Sequence, residues 1–228
     1  LLPKCEQAII PGVSIITMMA ALGVGLLFGF VAGRHRLLRS NLGEALVANC
    51  LEGGLRRPYV LLNNITLEVE GGTTQIDHVL VMEGGIFVIE SKHSSGWIFG
   101  GPKDRNWSQV IYNRKSRFLN PVRQNYGHLK AIQALFTLPP SAFQSVVLFT
   151  GDAEFKTDLG PEVIKLPQLL GRVGTERPVI FDERQMTYIV GRIEMKRLRR
   201  SIETDEYHLN YVRGHVKARL GRNETAFR

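Results

Sequence analysis

The chain predicts an α/β fold: a mixed central sheet flanked by helices, preceded by one N-terminal transmembrane helix and followed by a helical C-terminal extension. Three observations predict it. An uncharged run of 26 residues fills 8–33. Alternation of apolar and polar residues with period two runs through much of the stretch from Tyr59 to Lys92, and helical periodicity appears after Asn120 and again after Gln185.

Residues 1–7 form a short tail. The run 8–33 has no charge, and at 1.5 Å rise per residue it is long enough to cross a hydrocarbon layer of about 30 Å. Pro11 fits near its start. Arg34, His35, Arg36 and Arg39 follow in a basic linker, 34–40, whereas Lys4 and Glu6 cancel on the other side. The positive-inside rule then gives a single-pass membrane protein with its C-terminal domain in the cytoplasm. A cleaved signal peptide ending at Val31-Ala32-Gly33 is the alternative, but the run exceeds an h-region of about 7–15 residues. Gly25, Gly29 and Gly33 form two GxxxG steps that would let two copies pair as a homodimer. The first residue is Leu1 rather than methionine, so the start of translation is expected upstream or at an unusual codon.

Cys5 and Cys50 would lie on opposite sides of the membrane, which excludes a disulfide framework or a cysteine zinc site and agrees with a reducing cytoplasm. The net charge is +8, and because Lys4 and Glu6 cancel, the part after the span carries all of it. Such an excess suits a polyanion, either nucleic acid or an anionic lipid surface.

Leu42, Ala45, Leu46, Asn49 and Cys50 give 41–52 the spacing of a short helix, capped by Ser40 or Asn41. Glu44 lies in its first turn, where the helix dipole favours an acid. Tyr59–Asn63 and Ile65–Glu70 read as strand segments ending at Gly71-Gly72. The next two strands carry the chemistry. Alternation places Asp77, Val79 and Val81 on one face, and Ile86, Val88, Glu90 and Lys92 on one face of the following strand. With a two-residue loop at Glu83-Gly84, Met82 pairs with Gly85 and Asp77 lies opposite Glu90; a three-residue loop would instead set Asp77 against Ser91, on the wrong face. Two carboxylates at cross-strand distance repel unless a cation or a proton sits between them, and a hard ion such as Mg²⁺ suits oxygen ligands. Lys92 could then orient a water or a phosphate oxygen. A cross-strand salt bridge is the plainer alternative.

Spacing alone does not select this pair, because Glu-x-Lys occurs three times: Glu90/Lys92, Glu154/Lys156 and Glu194/Lys196. The second copy reads as loop and the third as helix. Only the first ends an apolar strand beside a partner strand that carries another acid.

Trp97–Gly100 reads as a short strand, and Trp107 as a loop residue that is either core, the favoured reading, or a base-stacking platform. Arg114, Lys115, Arg117 and Arg123 form a basic cluster, either solvated loop charge or a phosphate clamp. Asn120–Phe136 reads as a helix starting at Pro121, with Val122, Tyr126, Leu129, Ile132 and Leu135 as its apolar stripe. Gln124 and His128 share a face, but His128 reads as an ordinary surface histidine. Ser145–Thr150 is expected as a buried strand and Val163–Leu166 as another. Gln185–Leu198 and Glu206–Leu220 read as basic amphipathic helices.

Taken in order, Leu42-Gly43-Glu44, Tyr59–Ile65, Gln75–Val81, Gly85–Lys92, Gly96–Gly100 and Asn120–Gln124 resemble the successive motifs of the NERD, or nuclease-related, domain. That family is a branch of the restriction-endonuclease-like PD-(D/E)xK superfamily. The resemblance covers 41–150 and leaves 151–228 as a C-terminal extension. It implies an α-β-β-β-α-β core of restriction-endonuclease-like type, with Mg²⁺ or Mn²⁺ held by Asp77, Glu90 and the backbone carbonyl of Ser91. Glu44 would be a further metal or water ligand, Lys92 the group that positions water, and Gln124 a helper from the following helix. One departure is Ile76, where the superfamily's name has proline. The function implied is a membrane-anchored, metal-dependent nuclease that hydrolyses phosphodiester bonds in DNA, or RNA, on the cytoplasmic side. The alternative is a non-catalytic nucleic-acid-binding or membrane-tethering module that keeps the fold.

Overall fold

The computed structural model describes residues 42–56, 58–174 and 177–199, together with Thr204 and His208. The expected tail 1–7, span 8–33 with Gly25, Gly29 and Gly33, linker 34–40, and all of the helix 206–220 but His208 lie outside the described residues. Among the described residues no helix is long and apolar enough to cross a membrane. The chain divides into two units, 1–41 and 42–228, and every element below belongs to the second.

Helix α1 covers 42–54. Its buried Val47 and Leu51 are one helical turn apart, and Gly43 lets its first turn sit close to Thr150 and His93. Strands β1 (Tyr59–Val69), β2 (Gly72–Met82) and β3 (Gly85–His93) form an antiparallel meander. The expected break between two segments is instead a local kink, since β1 runs on through Asn64, whose φ of 54° lies in the left-handed region. Strands β7 (Phe143–Thr150) and β9 (Val163–Lys165) extend the sheet in parallel to β3, giving the order β1-β2-β3-β7-β9. β3 is central and covered on both faces, which explains its unbroken apolar run from Ile86 to Ile89.

The second sheet is built from β4 (Trp97–Phe99), β5 (Asn106–Ile111), β6 (Arg114–Leu119) and β8 (Glu154–Phe155), in the order β6-β5-β4-β8. Three loop expectations are corrected here. Trp107 is core as expected but lies on β5, the basic cluster 114–117 lies on β6, and Glu154 lies on β8. The sequence RKSRFL of β6 hides its strand because both faces are polar over most of its length. Trp107 stacks with Phe149 of β7 at 6.4 Å and meets Phe118 edge-on at 6.2 Å, so it anchors the second sheet to the first. Gly100 is required beneath it: a Cβ there would come within 2.2 Å of the indole.

Helix α2 (Pro121–Gln133) follows β6 at once, with Pro121 at its start and Asn120 accepting from the Val122 amide as its N-cap. Its buried stripe is Pro121, Asn125, His128 and Ile132, while Tyr126 is exposed. The expected stripe is rotated because Asn125 is polar and still buried. Its amide donates to the Val88 and Val146 carbonyls and the Ser145 hydroxyl, which pins α2 across β3 and β7. Helices α3 (Leu169–Gly174) and α4 (Glu183–Lys196) complete the core, α4 starting in a capping box between Asp182 and Gln185. α2 and α4 pack with Val79, Val81, Ile86 and Val88; α1 and α3 pack on the other face, against Leu80, Phe87 and Ile89.

Candidate active site

The hairpin has the two-residue loop: Met82 pairs with Gly85 and His78 with Ile89. Extending that register by one residue sets Asp77 opposite Glu90. Both lie on the face of Val79, Val81, Ile86 and Val88, the face that α2 covers. Beside them β1 reaches its left-handed Asn64, which that register brings opposite Asp77.

Asp77 Oδ2 accepts from both the amide and the hydroxyl of Ser91, each at 2.8 Å. This seats Ser91, whose carbonyl is the expected third ligand, directly against the acid. Glu90 is almost wholly buried and its Oε1 pairs with Lys92 Nζ. Lys92 also donates to Gln124 Oε1 at 3.3 Å, so the first turn of α2 enters the site. His128 Nε2 lies 3.2 Å from Glu90 Oε2 and 3.4 Å from Gln124 Nε2, and Thr74 Oγ1 lies 2.7 Å from His128 Nδ1. Asp77, Ser91, Glu90, Lys92, Gln124 and His128 therefore converge on one end of the sheet. Glu44 comes from α1, on the opposite face, in a first turn set against the ends of β3 and β7. Among the described residues no three acidic, histidine or cysteine side chains are grouped as a metal cage.

His128 corrects the surface reading, since it is buried. The signal was its spacing of four from Gln124, which fixes a shared face; what it faces only the packing of α2 decides. Its ring cannot serve both neighbours. With the proton on Nε2 it donates to Glu90 Oε2 while Nδ1 accepts from Thr74; with the proton on Nδ1 it accepts from Gln124 and leaves Glu90 Oε2 without a donor. At its present angle Glu90 Oε2 makes no hydrogen bond although it is buried.

The two acids titrate apart. Burial, then the charge of Glu90, pushes Asp77 up to about 7, against the opposing pull of Lys92 and Ser91. Burial would raise Glu90 as well, but Lys92 and His128 outweigh it and hold this carboxyl below its ordinary value. For Glu90 the neighbours outweigh burial, and for Asp77 burial outweighs the neighbours. The donor set fits a divalent cation on these grounds: two acids opposite each other on one face, the Ser91 carbonyl beside them, and one buried carboxylate oxygen, Glu90 Oε2, without a hydrogen bond.

Comparison with known proteins agrees with the family resemblance. Residues 39–150 match the family described as NERD, nuclease-related domain. An uncharacterized protein of Bacillus anthracis is 45% identical over 98 residues, which are 42% of this chain and 46% of that protein. The chain thus spans less than half the length of that relative. A crystal structure of a protein of unknown function aligns with 57% of this chain and 53% of its own at 16% identity, with a TM-score of 0.30 that is too low to carry an argument.

Proposed function

Residues 39–150 belong to the nuclease-related domain family, and from that premise we propose that the chain is a metal-dependent nuclease hydrolysing phosphodiester bonds in nucleic acid, DNA foremost. The observation that carries the reading is the register that sets Asp77 opposite Glu90 on one face of the hairpin, with Lys92 and Gln124 beside them. Asp77, Glu90 and the Ser91 carbonyl would hold Mg²⁺ or Mn²⁺, which when bound supplies charge against the scissile phosphate and acidifies a water for attack. Lys92 bridges Glu90 and Gln124, so its ammonium is held where it can orient that water or offset charge on a phosphate oxygen. Gln124 fixes the lysine from α2, and Ser91 fixes the orientation of Asp77 through two hydrogen bonds. No covalent intermediate is needed. Glu44 is proposed as a further ligand reaching the site from α1.

One observation favours a second reading. Lys92 already pairs with Glu90, and in a binding module that does not cut, this would be a structural ion pair. Incubating the chain with plasmid and single-stranded DNA in Mg²⁺ or Mn²⁺ separates the two. Strand loss that disappears in Asp77→Asn supports the nuclease; binding without strand loss supports the module. The uncharged run 8–33 and the basic residues after it support a membrane anchor with this domain on the cytoplasmic side. Extraction of the full chain from membranes by alkaline carbonate would sink that placement.

A further inference from the structure

The second sheet turns one face inward and the other to solvent. Cross-strand partners share a face, and the inward face is fixed by Trp107 with Phe118. The pairs Ser108–Arg117 and Val110–Lys115 must then project outward, and β4 continues those two rows with Phe99 and Trp97. Lys115 and Arg117 are exposed and two residues apart, about 6.6 Å along a strand. In the same row Trp97 is 49% exposed, with Lys156 Nζ 4.7 Å above its ring. The acid on this face, Glu154, is already paired with Lys156 at 2.6 Å.

Two further features single out this region. The stretch 101–123 holds six of the chain's cations and one acid, Asp104, so most of the net charge of +8 is concentrated in it. At the tip of the β5–β6 hairpin Tyr112 is 95% exposed, and its φ of 50° is the one that a two-residue turn between Ile111 and Arg114 imposes on its first residue. The arm is also rigidly tied to the candidate site. Asn120, which caps α2 ahead of Gln124, donates to the carbonyls of Gly101, Pro102 and Asp104, and Trp107 locks β5 against β7.

We infer that the outward face of the β4–β5–β6–β8 sheet grips the phosphodiester backbone of a nucleic acid, with Lys115 and Arg117 as phosphate contacts and Trp97 as a surface on which an unpaired base stacks. The inference deepens the proposed function by naming how the substrate is held, and rests on that reading for its occupant. Charge complementarity selects a polyanion, and two exposed cations on β6 with the exposed Trp97 of β4 on the same face suit a nucleic-acid strand.

The test is fluorescence anisotropy of a labelled 30-nucleotide single strand and a 30-base-pair duplex with the full chain, without divalent metal, over a range of salt. Lys115→Gln/Arg117→Gln is expected to flatten the plot of log K against log[salt] by about 1.4 for the single strand or about 1.8 for the duplex. Trp97→Ala should weaken the single strand at least about fivefold and the duplex less. Lys196→Gln, a cation on α4, should leave the slope near that of the wild type. Unchanged slopes in the double variant, an equal loss in Lys196→Gln, or, in a parallel assay on phosphatidylserine vesicles, a loss of vesicle binding with nucleic-acid binding unchanged would each overturn the inference. The outcome also separates it from the reading beneath it. A chain that cuts DNA while the double variant keeps its slope overturns only the platform, and a chain that binds as expected and never cuts overturns only the nuclease.

Discussion

Glu90-Ser91-Lys92 and Glu154-Phe155-Lys156 are the same pattern placed in two surroundings. Both begin on a strand, and in both the lysine reaches back to its own glutamate. The first pair is 1% and 27% exposed at glutamate and lysine, the second 60% and 35%. Glu90 is enclosed between β2, β7 and α2 and has Asp77 and His128 as neighbours, whereas Glu154 faces solvent on a two-residue edge strand. The third copy, on α4, does not pair with itself at all: Glu194 bonds Arg197 at i+3, the partner that helical geometry supplies. An identical spacing thus yields a buried candidate site, a surface ion pair and a helix contact. Burial and the second acid make the difference.

The largest test of this contrast is activity. Asp77→Asn or Glu90→Gln should lower metal-dependent cleavage of plasmid at least about a thousandfold, and full activity in both would refute the assignment. Stability should divide the two pairs next. Lys92→Ala leaves Glu90 buried without its cation and should cost roughly 2–3 kcal/mol in urea unfolding, less than the ~3–5 for a fully buried pair because Lys92 is partly exposed. Lys156→Ala should not shift the unfolding midpoint measurably; equal losses of stability from the two lysines would erase the distinction.

The pH dependence gives a third comparison. A folded pKa of about 7 for Asp77, above the unfolded 3.8, means that the fold favours the protonated acid. Stability from this group is complete below about pH 4 and lost as pH rises toward 7. His78 acts the opposite way: burial lowers it to about 4 from 6.5, so its contribution is present above pH 6.5 and lost as pH falls. Subtracting the two proteins removes that term. Without metal, Asp77→Asn should be increasingly more stable than wild type from pH 5 to 7.5, by roughly 2–4 kcal/mol at the upper end, and added Mg²⁺ should raise the melting temperature of the wild type but not the variant. A flat difference would mean that Asp77 carries no unmatched charge. The smallest effect expected inside the site is that of His128→Asn. Cleavage should fall about 10–100-fold with a raised metal requirement, as for other groups that orient a ligand, and unchanged metal dependence would reduce His128 to packing.

Much of the first sheet was legible. Alternation from Gln75 to Lys92 and the Glu83-Gly84 loop set the register, because a slip of one residue would turn Val79, Val81, Ile86 and Val88 out of the core. The second sheet was not, since β6 is too polar to show alternation and its strands are recognised only once Trp107 meets Phe149. In α2 the apolar stripe misled, because Asn125 and His128 are buried through hydrogen bonds and ionic contacts rather than hydrophobicity. The sequence by itself determined which residues share a face, the +8 charge and the order of the motifs, all of which stem from local backbone geometry and composition. Only the tertiary structure decided which Glu-x-Lys is buried, that His128 closes onto Glu90, and that α1, which carries Glu44, packs on the opposite face. Those depend on contacts between segments far apart in the chain, which no local period encodes.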